Sequence, residues 1–213
     1  WQVNPGQESD PDLRGVDVAI RYTADGSDLR NDMMIHHTSF GMGSKLYFGD
    51  TNNMFGRVGM IVAIYLAKGQ GELVLRTSDP SIQPYINYNY FKEPEDLRRM
   101  RDAVRMCVEV GSGSSYKNLI DFRLAPSEEI LNSDTQLDIW LKENVRTSHH
   151  ISGTCKMGLE TDPTSVVDQY GNVHGTKNLK VADASIMPDC PRANTNVPTM
   201  MIGEKIADLI LNS

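Results

Sequence analysis

The apolar residues of this chain change their period at Pro94, and that change decides what it can fold into. Before Pro94 they alternate with polar residues or gather in short β-rich runs; after it they recur at helical spacing. Residues 16–23 read as a strand closed by the turn signal Ala24-Asp25-Gly26-Ser27, and residues 33–38 read as a second. Residues 57–66 form a buried strand in this reading. The turn Lys68-Gly69-Gln70-Gly71 folds it back onto the alternating residues 72–76 as a hairpin. Residues 85–90 alternate again. One antiparallel sheet built from these pieces is the expectation. Residues 1–14 are polar, with Pro, Gly and Asp, and no element is predicted there; residues 41–44 and 49–53 read as loops.

Beyond the switch, Pro94 takes a first helical position with Glu95 and Asp96 in the first turn. Leu97, Met100, Val104, Cys107 and Val108 line one face, and Gly111 is expected to stop the helix. Ser133 and Gln136 have capping-box spacing, ahead of a second helix that buries Leu137, Trp140, Leu141 and Val145. Residues 166–168 and 179–182 read as short strands. Pro198 opens a final helix with Ile202, Ile206, Leu209 and Ile210 on its buried side. The fold class is therefore α+β, an antiparallel sheet with flanking helices.

Composition closes several functional routes. The 213 residues are 39% hydrophobic and 23% charged, as in a globular chain, and the net charge of −7 supplies no basic patch for nucleic acid or an anionic membrane. The longest apolar run, residues 58–67, has about half the length that a membrane span needs. No leader pattern is visible, so a soluble, cytoplasmic location is expected. Cys107, Cys155 and Cys190 show no paired spacing, which argues against a disulfide framework or a structural zinc site; Cys107 falls on a helix's apolar face as an inert thiol.

Two stretches carry the chemistry. The first is Thr147-Ser148-His149-His150-Ile151-Ser152-Gly153-Thr154, in which Gly153 permits a tight turn after a histidine pair. Histidine exchanges protons near neutral pH, so His150 is the natural acid–base candidate; a structural histidine satisfied by the backbone fits the same pattern. Neighbours on extended backbone face opposite ways, so neither His149 with His150 nor His36 with His37 is expected to bind a metal as a pair. The second stretch is Asp183-Ala184-Ser185-Ile186-Met187-Pro188 followed by Asn194-Thr195-Asn196-Val197-Pro198-Thr199, at the head of the last helix. Free amides and the positive dipole end suit that place to negative charge; Asn194 or Asn196 acting simply as the N-cap is the other reading.

Together these stretches resemble the C-terminal part of the glucose–methanol–choline (GMC) family of FAD-dependent oxidoreductases. The pattern His150-x-x-Gly153-Thr154-x-x-Met157-Gly158 looks like the family's active-site histidine motif. Val166-Val167-Asp168, Val173-His174-Gly175, the run from Leu179 to Pro188 and the run from Asn194 to Thr199 follow in the family's order and spacing. Residues 55–213 carry the likeness, and the first fifty residues only loosely.

The resemblance implies that residues 1–157 belong to a substrate-binding domain and that residues 158–213 are a strand–helix segment completing an FAD-binding domain. It implies that His150 is the catalytic acid/base and Asn196 its partner across the flavin. His149, Asp183, Ala184, Asn194, Asn196, Val197 and Thr199 would contact FAD, with no metal involved. Expected partners are a small-molecule alcohol, oxygen or another electron acceptor, and a polypeptide with the N-terminal FAD-binding half. The last follows because no complete dinucleotide glycine fingerprint is present: Gly41-x-Gly43, Gly69-x-Gly71 and Gly111-x-Gly113 each lack the third glycine. Two rival readings are a non-redox lyase on the same fold and a non-catalytic substrate-domain subunit.

Overall fold

A computed structural model describes residues 1–6, 18–39 and 56–212. The loops expected at residues 41–44 and 49–53 lie outside these, as do residues 16 and 17 of the first expected strand. In chain order the described elements are β1 (Gln2–Val3), β2 (Ala19–Tyr22), β3 (Met33–Ser39), β4 (Val58–Ile64), β5 (Glu72–Val74), β6 (Tyr85–Asn87), α1 (Pro94–Gly111), β7 (Ile120–Phe122), α2 (Glu128–Leu131), α3 (Asp134–Asn144) and α4 (Asn196–Leu211). The chain groups into two compact units, Trp1–Gln70 with Asn89–Ser148, and Gly71–Tyr88 with His149–Ser213.

In the first unit α1 is buried on two sides. Leu97 and Val104 pack with Leu131 of α2 and with Leu137 and Leu141 of α3, fringed by Met100, Val108 and Trp140. Ala103 instead meets Ala24 and Met33 beside Tyr22, Val62 and Ile64 of the sheet, where only a small side chain lets helix and sheet approach. That sheet is antiparallel in the order β2-β3-β4, with Ile20 opposite Ile35 and Ile35 opposite Val62. Cys107 is buried as expected, and burial pushes its thiol up to about 12. Ser133 caps α3 by accepting from the Gln136 amide at 3.3 Å.

Among the described residues the expected single sheet is instead three: β2-β3-β4, β5-β6 and β1-β7. The expected hairpin between residues 57–66 and 72–76 does not form; β4 pairs with β3, and β5 with β6, Leu73 opposite Ile86. The reason lies in the connecting loop. The Asp96 carboxylate in the first turn of α1 accepts from the Lys68 amide at 2.9 Å and the Gly69 amide at 2.8 Å. Arg99 donates to the Leu66 carbonyl at 2.9 Å. These bonds tie residues 66–69 to the helix and keep the chain from folding straight back on β4.

Residues 1–3, read as formless, form β1 and run beside the start of β4, with the Val58 amide donating to Trp1 O at 3.0 Å. Gly111 does not stop α1 through a left-handed turn. It is the last helical residue, the next is right-handed, and a Cβ added there would lie 2.7 Å from Cζ2 of Trp1. The position is glycine because an indole lies against it.

In the second unit Val167, Ile186, Met187 and Ile206 are buried. Residues 153–157 run beside 184–186, the amides of Gly153, Cys155 and Met157 donating to Ala184, Ser185 and Ile186 at 3.2, 2.9 and 2.9 Å. The strands expected at 166–168 and 179–182 are only single bridges, Met157 to Val167, Val167 to Val173 and Asn172 to Lys180. Asp168 explains this: its carboxylate accepts from the Tyr170 and Asn172 amides at 2.8 and 2.9 Å, turning the chain before a ladder extends. Helix α4 starts two residues before Pro198. Ile206 is buried and Ile202 and Leu209 are partly so, but Ile210, expected inside, is 51% exposed.

Candidate active site

From His149 onward, both stretches fall in the second unit. His149 is left-handed at φ 62°, a conformation that β-carbon sterics make uncommon outside glycine, and Gly153 follows at φ 78°. The backbone at His149 is therefore bent rather than extended. The expectation that His149 and His150 face opposite ways on a strand does not describe this turn. His149 is exposed; His150 is half-buried.

The His150 ring meets the head of α4. Its Nδ1 lies 3.1 Å from Thr195 Oγ1, and its carbonyl accepts from Cys190 Sγ at 3.9 Å. Thr195 is only 8% exposed. It holds the N-cap position of α4, yet its hydroxyl caps no helix amide. An N-cap side chain ordinarily serves the second or third helical amide. Here the third residue is Pro198, which has none, and the hydroxyl is turned to the histidine instead. The Thr195 carbonyl takes the Thr199 amide and hydroxyl at 2.9 and 2.7 Å, which closes the first turn. Neither Asn194 nor Asn196 is the N-cap.

Asn194, Asn196 and Val197 are exposed around this contact, Val197 at 68%. The first turn of α4 carries no acidic residue, so nothing of its own opposes the positive end of the helix dipole. Asp183 heads the short 3-10 turn Ala184–Ile186, its Oδ1 accepting from the Ser185 amide at 2.8 Å and from the Ser185 hydroxyl. The Ala184 carbonyl receives the Gly153 amide. The fold thus joins His150 to the residue between the two asparagines, and Ala184 to the His150 loop. It gives no direct bond between His150 and Asn196. Sequence reading missed Thr195; the available signal was a threonine N-cap followed by proline at the third helical position.

A half-buried imidazole beside an exposed helix start with no acidic residue of its own suits a group that carries negative charge. Among the described residues no three His, Cys, Asp or Glu side chains gather as a metal site, and no helix is long and apolar enough to cross a membrane.

Comparison with known proteins extends the geometry. The family model for the C-terminal part of GMC oxidoreductases matches residues 67–203. Oxygen-dependent choline dehydrogenase of Sinorhizobium medicae (strain WSM419) is 39% identical over 150 residues, covering 70% of this chain and 27% of that protein. The enzyme of the same name from Vibrio vulnificus (strain YJ016) is 34% identical over 145 residues, covering 68% and 26%. Among solved structures, a formate oxidase variant from Aspergillus oryzae RIB40 superposes with a TM-score of 0.74 at 27% identity, over 85% of this chain and 31% of that one. Pyridoxine 4-oxidase from Mesorbium loti gives 0.81 at 22% identity, over 94% and 39%, a likeness of fold. The chain spans about a quarter of the length of these curated relatives.

Proposed function

Because this chain belongs to the GMC oxidoreductase family, we propose that it is the substrate-facing and active-site portion of an enzyme that oxidises a small alcohol with FAD. In this reading residues 1–157 shape the substrate side, and residues 158–213 complete an FAD-binding domain whose N-terminal half lies on a further stretch of polypeptide. Oxygen or another acceptor reoxidises the enzyme.

His150 takes the proton of the substrate hydroxyl, and the carboxamide of Asn196 hydrogen-bonds the oxygen as its charge grows. FAD, when bound, accepts the hydride from the substrate carbon. His149, Asp183, Ala184, Asn194, Val197 and Thr199 hold the cofactor against this edge, with the start of α4 turned to its negative charge. The observation that carries the reading is the 3.1 Å contact between His150 Nδ1 and Thr195 Oγ1, which brings the proposed base to the residue beside Asn196.

The test is stopped-flow reduction of the flavin by substrate in the complete enzyme. His150→Ala lowers that rate by about a hundredfold or more, the usual worth of general-base catalysis. An unchanged rate overturns the assignment. A flavin that stays oxidised under anaerobic substrate turns the reading toward the lyase alternative.

A further inference from the structure

We propose that Thr195 is a positioning residue that fixes which nitrogen of His150 exchanges the proton; this rests on the reading of His150 as the acid/base. Four observations bear on it. Thr195 Oγ1 lies 3.1 Å from His150 Nδ1. Thr195 is buried, so its hydroxyl has little access to water as a competing partner. It stands at the N-cap of α4 yet caps nothing: Pro198 at the third helical position has no amide, and the Val197 amide at the second is not bonded to it. The histidine is also gripped through its backbone, by the Cys190 Sγ contact to its carbonyl and by the left-handed residue before it.

A neutral imidazole carries one proton on two nitrogens, and the partner of one nitrogen decides the state of the other. A hydroxyl can give or take a hydrogen bond, and the proposal is that the Thr195 oxygen takes it, from Nδ1–H. That leaves Nε2 with its lone pair free, as a base that receives a hydroxyl proton requires. When Nε2 takes the proton, Nδ1–H stays bonded to the same oxygen, so the ring changes charge without turning. In this proposal the threonine acts through the histidine. Helix α4 thereby has two roles at one turn: its dipole faces the cofactor, and its first side chain sets the base.

Nitrogen-15 NMR of the histidine rings in the complete enzyme tests this, beside flavin-reduction kinetics. The native enzyme and Thr195→Ser show His150 with the proton on Nδ1 and an unprotonated Nε2. Thr195→Val shifts the ring toward the other tautomer and slows flavin reduction by about tenfold, with KM little changed, and serine restores both. The idea is overturned if native His150 carries its neutral proton on Nε2, a result that needs no variant to fold. It is also overturned if Thr195→Val leaves the ring signals and the rate as they were. A locked tautomer together with an unaffected His150→Ala rate confirms the clamp on the ring and overturns the reading of His150 as the acid/base, so the two failures are told apart.

Discussion

Arg99 is fully buried, and what surrounds it shows how single residues hold the first unit together. Its guanidinium donates to Asp32 and Asp96 at 2.6 Å each, while Nε has no partner. Burial pushes the Asp32 carboxyl up, but the Ala24 amide, the Ser27 hydroxyl and Arg99 together hold it below its ordinary value. A carboxyl lowered by folding stabilises the fold above its unfolded value, and that stabilisation fades as pH falls through the lowered one. Asp32→Asn removes one of the two carboxylates on the buried cation, leaving Asp96 as its counter-charge, and costs about 1–3 kcal/mol at neutral pH. Urea unfolding of both proteins checks this. The gap between them narrows on acidification below about pH 4; a gap independent of pH sinks the argument.

At the scale of elements, Gly111 sets propensity against contact. Alanine is favoured over glycine in a helix by about 1 kcal/mol. Its Cβ, however, would enter the space of the Trp1 ring, and overpacking costs about 1–3 kcal/mol. Gly111→Ala is therefore expected to lower Tm in the native background and to raise it beside Trp1→Ala. The same sign in both backgrounds means the indole is not what keeps the position small.

This example also shows what the sequence could reveal. Helices α1 and α3 and strands β3 and β4 were legible because their apolar periods run long enough to stand out. Strands β1 and β7 and helix α2 span two to four residues, too few for any period. The wrong hairpin came from treating a local turn as proof of a local partner, when Asp96, from a distant helix, had bound the turn's amides. At the site, Gly153 and the histidine pair were visible as a turn and an acid–base group. Thr195 was hidden because the N-cap reading fell on the asparagines on either side of it, Asn194 and Asn196.

For the whole molecule, the telling quantity is apolar surface in the second unit. Leu75, Leu159, Met201 and Leu211 are each more than half exposed there, besides Val197 at the proposed flavin edge. Soluble monomers seldom leave large apolar side chains uncovered in such number without a partner or ligand to cover them. The proposal under which a further stretch of polypeptide carries the FAD-binding half would cover part of this exposure, at the start of α4. The sequence carries no complete dinucleotide glycine fingerprint for the pyrophosphate. The 213-residue chain purified alone is thus expected to lack flavin absorbance and to bind a hydrophobic dye. Produced with the FAD-binding half, it is expected to hold flavin, lose the dye and protect the first-turn amides of α4, their hydrogen exchange slowing by about tenfold, or about 1.4 kcal/mol. Stoichiometric flavin on the isolated chain, or unprotected α4 amides in the flavin-loaded form, would refute this division of the cofactor site.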